Sequence, residues 1–510
     1  MHAPLKPQNI WAAVLRENSV EMIFRKLRKF LKPRLKRYPA AFHLYEAISW
    51  AFTRSAFSPK HFFPTLVAIA FPMWIAPRCR LARHYVGEGK LDNALAIAED
   101  VRARRPDAYL DDDTFKRLAV AYALEGHSEA LRQLFDRTED RRSEIAHELQ
   151  YDRLGLRFFP IASFSNIGPL GLLDTYVKAE ILGITPPRTN VILGAREEFA
   201  NPAYLRYWEK YCSLITHPRT IALLTPLSRC LEERSNQLWC GGKDMRNVAT
   251  IGRAAQLQWE AEGRGPLLEL SAEHRERGYR LLRELGVPEG AWFVGLHVRE
   301  GKDRINLRNA DVTAYCLAIE EIAKRGGWVL RVGDRSMRPL PSWPNTIDYV
   351  HSGKREDWMD VFLWAEGRFF IGTGSGPQLI PPTFGRPVAI ANYGPIPTLV
   401  CGKNDILLPK QYRSEKDGRY LMLAERMQPN YAFNESTGAF AKFGIRVVDN
   451  TPEELRELVV EMIDRLEGRH AETEQERAIQ ARFAELAATH RFYPVKIARA
   501  FMSRYPNLLG

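Results

Sequence analysis

A chain of 510 residues is too long for one ordinary hydrophobic core, and with 45% apolar and 26% charged residues it reads as globular, in about three units of roughly 100–200 residues each. The 73 basic and 61 acidic side chains leave an excess of +12, which favours anionic partners such as nucleotides, phospholipid or nucleic acid without choosing among them. Six cysteines (Cys79, Cys212, Cys230, Cys240, Cys316, Cys401) include no CxxC pair, so neither a zinc site nor a disulfide framework is indicated, and a reducing cytosol is the simplest compartment.

The first unit, residues 1–77, combines two signals. Arg25 to Arg37 (RKLRKFLKPRLKR) carries eight Lys/Arg and no acid, interleaved with Leu27, Phe30, Leu31 and Leu35. Such a string can hold anionic headgroups while its apolar residues enter the interface. Phe62 to Ala76 then runs fifteen residues without a charge. A spanning helix needs about 20 such residues, and Pro64 and Pro72 interrupt this one. Two readings stay open: peripheral attachment to the inner face of a cytoplasmic membrane, or a basic solvated helix followed by a buried one. The opening residues lack the basic, apolar, small-residue order of a secretory signal, so Asn434-Glu435-Ser436 is an acceptor sequon by pattern only.

Residues 78–150 form the second unit. Leu81, Tyr85, Gly89, Ala94 and Pro106 stand at one set of spacings, and Leu118, Tyr122, Gly126 and Ala130 echo them. The pattern resembles tetratricopeptide repeats, in which each glycine closes a first helix and the alanines let paired helices approach. Two repeats are too few for an independent solenoid, so the module either braces its neighbour or binds a protein partner. Asp111-Asp112-Asp113 offers paired carboxylates, but its place just before a helix makes it a cap. No metal site is read from the chain.

After Tyr151 the pattern changes to alternating strands and helices, the mark of an α/β architecture. A first Rossmann-like lobe, 151–280, is expected to use strands at Leu156–Ser163, Asn190–Leu193 and Thr220–Leu224, with a helix from Leu172 to Leu182. Its loop Ser165-Asn166-Ile167-Gly168 follows a strand, so Asn166 and Gly168 become acceptor-side candidates, or an ordinary glycine turn. A second lobe, 281–450, is expected as a doubly wound parallel sheet: strands at Trp292–Val298, Trp328–Val332, Ile347–Val350, Phe369–Gly372 and Val388–Ala391, helices at Val312–Lys324, Asp357–Ala365 and Gln378–Phe384. Thr451-Pro452-Glu453-Glu454 caps a helix that opens the C-terminal helical region, 451–510.

The strands of the second lobe end in polar or glycine-rich residues that would converge on one sheet edge: His297 to Asp303, Gly333-Asp334, His351-Ser352, Gly372-Thr373-Gly374-Ser375-Gly376 and Asn392-Tyr393-Gly394. In HVREGKD, alternation sends His297 and Arg299 to one face and Val298 into the core. The planar fork of Arg299 suits a diphosphate and offsets the charge that grows when a sugar–phosphate bond breaks. The bland alternative is a salt bridge to Glu300 or another acid. In GTGSG, three glycines admit a close anion, Thr373 and Ser375 add hydroxyls, and the next helix would offer free N–H groups; no Gly-Lys-Ser/Thr follows, so it is not a P-loop.

HVREGKDRINLRNADVTAY, followed by RVGD, DVFLWAEGRFFIGTGSG and FGRPVAIANY, resembles a profile-defined family of bacterial glycosyltransferases, distantly similar to the fucosyltransferase superfamily with its HxR motif. The likeness runs from about residue 155 to the C-terminus. It implies two facing lobes of the GT-B type, a nucleotide-sugar donor in the second lobe, and inverting, metal-independent transfer of a hexose or deoxyhexose in polysaccharide biosynthesis. Arg299 takes the place of the motif arginine, and Thr373 and Ser375 that of the serine-rich motif. Glu300-Gly301-Lys302 departs from the fucosyltransferase pattern, so the donor is a nucleotide sugar, a GDP-sugar favoured, with GDP-fucose itself in question.

Arg299, Glu300 and Asp303 are thus the catalytic candidates, each carboxylate with a surface role or a substrate phosphate as its rival for the base. His297, Arg299, Gly333, Asp334, Gly372, Thr373, Gly374, Ser375, Gly376 and Asn392 are the donor-binding candidates. Asp334 would bind a ribose hydroxyl or cap the Ser336 turn. Asp360 reads as helix surface and His351 as a loop residue. The acceptor is a glycan, a lipid-linked intermediate or a protein. A pyruvyl or phosphoryl transferase, and a noncatalytic scaffold recruiting partners through its repeats, remain the alternatives. Nucleic acid ranks below these, since the basic excess gathers near 25–37 and no recognition module appears.

Overall fold

The computed structural model describes residues 78, 81–83, 85, 90–104, 144, 146–159, 164–231, 237–241, 244–301, 306–394, 396, 401–428, 431, 437–490 and 492–509. The Arg25–Arg37 string, the Phe62–Ala76 stretch, the second repeat, Asp111–Asp113, Asn434–Ser436 and Asp303 lie outside them. The chain divides into two compact units, 1–141 and 142–510. In the first, a helix runs from Leu91 to Arg104 and buries Ala94 completely, as its small side chain permits. No described helix is long and apolar enough to cross a membrane.

The second unit is mixed α/β with parallel sheets. The smaller sheet holds three parallel strands in sequence order: β1 (Leu156–Phe159), β2 (Thr189–Leu193) and β3 (Cys212–Ile215). Side-chain alternation puts Phe158 and Val191 on one face, against Leu224 and Leu227, while Phe159 and Ile192 join the main core on the other. Leu224 and Leu227 belong to a helix, Pro218–Leu231, where the sequence suggested a strand at Thr220–Leu224. Pro218 starts that helix, and apolar residues three apart cover β1 as a helical face does. A second helix begins at Ile167 rather than at Leu172 and runs to Ile181. Pro169 falls in its first turn, where a missing N–H breaks no helical hydrogen bond. A hairpin, β4 (Gln237–Gly241) with β5 (Asp244–Asn247), leads into a helix at Val248–Ala261 that packs on the Ile167 helix.

The larger sheet is built on β6 (Phe293–His297). From there the chain steps outward through β7 (Trp328–Arg331) to β8 (Thr346–Ile347), then crosses by the helix Asp357–Glu366 to β9 (Phe370–Thr373) on the other side of β6. It continues outward to β10 (Val388–Tyr393) and β11 (Ile406–Pro409), and β14 (Lys496–Ile497) closes that edge after an antiparallel excursion, β12 (Gln411–Ser414) with β13 (Ile445–Val448). The order is therefore β8-β7-β6-β9-β10-β11-β14, seven strands, every pairing parallel. All residues of β6, β9 and β10 are buried, as expected of parallel strands covered on both faces. Thr451 caps the helix Pro452–Leu466, accepting from Glu454 N–H while the Glu454 carboxylate accepts from Thr451 N–H. The strand expected at Ile347–Val350 is only two residues long and turns at once into a 3-10 turn, Tyr349–His351.

One hydrophobic core runs through both sheets. Tyr204 is fully buried where they join, its hydroxyl 3.1 Å from Thr383 Oγ1 and its ring edge-on to Trp364. Asn201 donates to the carbonyl of Asp357 at 3.0 Å. The helix Ala272–Glu284 packs on the larger sheet's Asp357–Glu366 helix: a methyl group at Gly278 would meet the Phe362 ring at 2.1 Å.

Candidate functional site

The larger sheet reverses its winding between β6 and β9. In open α/β sheets that is where the connections splay apart and ligands bind, at the carboxyl ends of the two strands. His297 ends β6 opposite Gly372, and Thr373 ends β9. The two strands approach closely here, since a Cβ at Gly372 would lie 2.1 Å from the carbonyl oxygen of His297.

Beyond the last ladder bond the chains stay tied. The Arg299 N–H donates to Thr373 Oγ1 at 3.0 Å, and Ser375 Oγ lies 2.8 Å from His297 Nδ1. HxR and GTGSG therefore meet, through one bond on each side of Val298, which is wholly buried. His297 is buried too; desolvation first, then the charges of Arg331 and Arg299, pushes its imidazole down to about 4. It is a neutral ring whose Nδ1 is already engaged by Ser375. Arg299 is half-buried, and its Nε donates to Asn309 Oδ1 at 3.2 Å.

Glu300 faces elsewhere. Its carboxylate accepts from Arg338 Nε at 2.9 Å and from Arg331 Nη2 at 3.4 Å, and is only 9% exposed. Arg331, with no exposed side-chain surface, also donates to Asp348 Oδ1 at 3.2 Å and to the Arg338 carbonyl at 2.9 Å. The ion pairs that Glu300 makes are with Arg331 and Arg338, not the Arg299 pair that the sequence suggested. A carboxylate between two guanidiniums has its lone pairs occupied.

Several candidates serve the fold where the sequence suggested a ligand. Asp334 caps the turn after β7, accepting from Ser336 N–H at 2.8 Å; partial burial pulls its pKa up, but the Ser336 bonds outweigh it and hold the carboxyl below its usual range. Gly333, at φ +148°, shapes the same turn, its Cα facing Met337. Asn392 is 1% exposed and adopts φ +51° at a bulge between β10 and β11. It exchanges two bonds with Asn450: Asn392 N–H to Asn450 Oδ1 at 2.6 Å, and Asn450 N–H to Asn392 Oδ1 at 2.7 Å. Its side-chain amide is engaged inside the core, with Nδ2 donating to the Tyr315 hydroxyl at 3.4 Å.

The glycine-rich turn also departs from expectation. GTGSG is followed by two 3-10 turns, Gly376–Leu379 and Pro381–Phe384, not by a helix from Gln378 to Phe384. Pro377, Pro381 and Pro382 supply no N–H, so the helix-terminus contribution to anion binding is missing. Gly374 faces the Tyr393 ring, where a Cβ would approach to 2.6 Å. A Cβ at Gly376 would meet Gly168 N and Ile167 Cγ2, both at 2.6 Å, and one at Gly171 would meet Leu379 Cβ at 2.6 Å. The glycines therefore let the start of the Ile167 helix press backbone to backbone on the turn, and Gly168 lies in that contact. Asn166 stays exposed at the helix start and makes no capping bond.

Two residues read as peripheral are structural. Asp360 is 3% exposed, not helix surface; Arg355 Nη2 donates to its Oδ2 at 2.6 Å, and its Oδ1 has no hydrogen-bond partner. Burial pushes its carboxyl up to about 7. His351 Nδ1 lies 2.9 Å from Asp348 Oδ2, on the far side of the Arg331 cluster. Among the described residues, no three His, Cys, Asp or Glu side chains converge as a bound metal ion would require.

The sequence reading missed Asn309 and Lys410. Asn309 Oδ1 accepts from both Arg299 Nε and Gly301 N–H, the latter at 3.1 Å. Lys410, 2% exposed just beyond β11, donates to the Asn309 carbonyl at 2.6 Å and pairs with Asp449. Asn309 lies inside the quoted stretch that begins at His297, and its spacing alone gave no sign of a bond back to Arg299.

No protein-family model matches the chain, and no curated protein matches it. Among solved structures, a glycosyl transferase family 9 protein from Veillonella parvula DSM 2008 is similar over 60% of this chain and 79% of that one, at 10% identity and a TM-score of 0.26. A likeness at that level carries no weight for fold or activity.

Proposed function

We propose that the chain is a glycosyltransferase whose nucleotide-diphosphate sugar binds at the carboxyl edge between β6 and β9, with the Arg299 guanidinium against the diphosphate. The observation that carries this reading is the Arg299–Thr373 bond at 3.0 Å, at the point where the sheet's winding reverses. The same edge carries the Arg299 side chain, the buried His297 ring and Ser375, and such edges are where these sheets take their ligands.

The reaction follows from the charges. An acceptor hydroxyl oxygen attacks the anomeric carbon, the carbon–oxygen bond to the diphosphate breaks, and the bonding pair leaves with the phosphate. Arg299 binds that growing charge more tightly than the ground state, which is what lowers the barrier. The hydroxyl proton needs an acceptor. Glu300 is engaged by Arg331 and Arg338 and holds that cluster together, so the proton goes to Asp303 or to an oxygen of the departing diphosphate. A GDP-sugar is the favoured donor, and inversion without a metal ion belongs to the same proposal. The acceptor is a glycan, a lipid-linked intermediate or a protein. Attachment to anionic lipid through Arg25–Arg37 is its peripheral part, tested by sedimentation with anionic vesicles.

A second reading has two observations in its favour: the turn at Gly376 is closed by Gly168, and Glu300 is occupied, as in a transferase fold kept for binding alone. A thermal-shift screen of nucleotide sugars and nucleoside diphosphates separates the two. Ligand at 100 times its Kd stabilises a folded protein by about 2.7 kcal/mol, so a rise in melting temperature with GDP, UDP or their sugars, joined by turnover, supports the transferase. Binding without turnover supports the second reading. Silence towards all of them overturns both.

A further inference from the structure

Arg299 and Gly301 are tied to Asn309 and Ala310 at several points. The Ala310 N–H donates to the Arg299 carbonyl at 3.0 Å. Asn309 Oδ1 accepts from Arg299 Nε at 3.2 Å and from Gly301 N–H at 3.1 Å, and Asn309 Nδ2 donates to the Gly301 carbonyl at 3.4 Å. From the other side Lys410 Nζ donates to the Asn309 carbonyl at 2.6 Å. There is little room for rearrangement: a Cβ at Gly301 would stand 3.1 Å from Asn309 Oδ1 and 3.5 Å from Arg299 Nη2.

An arginine's long side chain loses rotamer freedom when it fixes on a ligand. A neutral acceptor at Nε removes part of that freedom beforehand and leaves the guanidinium charge intact, which a carboxylate in the same place would not. Lys410 is itself buried and paired with Asp449, so the anchor is rigid at its far end.

We infer that Asn309 is a positioning residue for the diphosphate site, setting the direction of the Arg299 guanidinium through its side-chain oxygen and held in turn by Lys410. The inference rests on the donor site proposed above. Asn309 touches no phosphate in this role; it acts only through Arg299.

The test is a double-mutant cycle read by calorimetry, with GDP, UDP and inorganic pyrophosphate as probes. The four proteins are the full-length parent, Arg299→Ala, Asn309→Ala and the double variant. Asn309→Ala is expected to weaken nucleotide binding roughly tenfold in the parent and less than twofold once Arg299 is gone, the non-additivity of residues acting as one. Equal losses in both backgrounds would show that Asn309 acts independently of Arg299, overturning the inference while the donor site stands. If Arg299→Ala binds as well as the parent, or the parent binds none of the probes, the donor site falls and the inference falls with it. Should Asn309→Ala not fold, Asn309→Ser, whose hydroxyl falls short of Arg299 Nε, carries the same cycle with the same expected non-additivity.

Discussion

The backbone of Arg299 is bonded to the side chain of Thr373, 74 positions away, at 3.0 Å. The bond joins the ends of two adjacent parallel strands that the chain visits at different stages of its winding. With the Ser375–His297 contact, it brings the HxR and GTGSG segments into one local geometry.

Arg299→Ala is expected to lower kcat/KM about a hundredfold, or roughly 3 kcal/mol of transition-state binding, with the fold retained because the bond to Thr373 uses the main chain. Steady-state kinetics with the donor found in the nucleotide-sugar screen, beside an unchanged far-ultraviolet dichroism spectrum, checks this.

Glu300→Gln separates a structural carboxylate from a catalytic one. As the partner of Arg331 and Arg338, its loss is expected to cost about 1–3 kcal/mol of stability, visible as a lower denaturant midpoint. The surviving activity should exceed that of Arg299→Ala. A fully stable but inactive variant would return Glu300 to the chemistry.

Asn392→Ala removes the bond from the Asn450 N–H to Asn392 Oδ1 and leaves that N–H buried without its acceptor, while the main-chain N–H of residue 392 still donates to Asn450 Oδ1. About 2–4 kcal/mol of stability should be lost, measured by denaturant unfolding, with no separate change in donor affinity.

His297 makes stability depend on pH. Its folded-state pKa is depressed from 6.5 to about 4, so the unfolded chain takes up a proton first. Its contribution is present in full above about pH 6.5, falls as the pH drops towards about 4, and is flat below that; the whole span is worth about 3 kcal/mol at most. Asp360 and Asp405, each raised to about 7 by burial first, act in the opposite sense over much of the same range. The measurement is therefore the difference between the parent and His297→Gln, which should shrink as the pH is lowered.

Gly376→Ala would place a methyl group 2.6 Å from the backbone nitrogen of Gly168. Backbone cannot swing aside as a side-chain tip can, so a loss of about 1–3 kcal/mol is expected, read as a lower melting temperature.

The parallel sheet was legible because its strands are buried on both faces and read as short apolar runs ending in polar or glycine residues, as in Phe293–His297 and Val388–Tyr393. The meeting of His297 and Arg299 with Thr373 and Ser375 followed from placing those runs side by side. What stayed hidden depends on contacts between distant residues. Thr220–Leu224 looks like a strand until its neighbours three residues on are seen covering β1 as a helix. Asp360 looks solvated until the helix carrying it is found buried on nearly every face. Asn392 and Asn450 betray nothing alone, since each is explained only by the other. The glycines of the Gly376 turn promised room for an anion, and the structure fills part of that room with Gly168.

Hydrogen–deuterium exchange with and without the nucleotide found in the screen tests the central claim most directly. Bound nucleotide should protect the amides of 299–301 and 372–376 together, and Arg299→Ala should abolish both effects. Protection confined to the three-stranded sheet at 156–215, or of only one of the two segments, would contradict a shared diphosphate site.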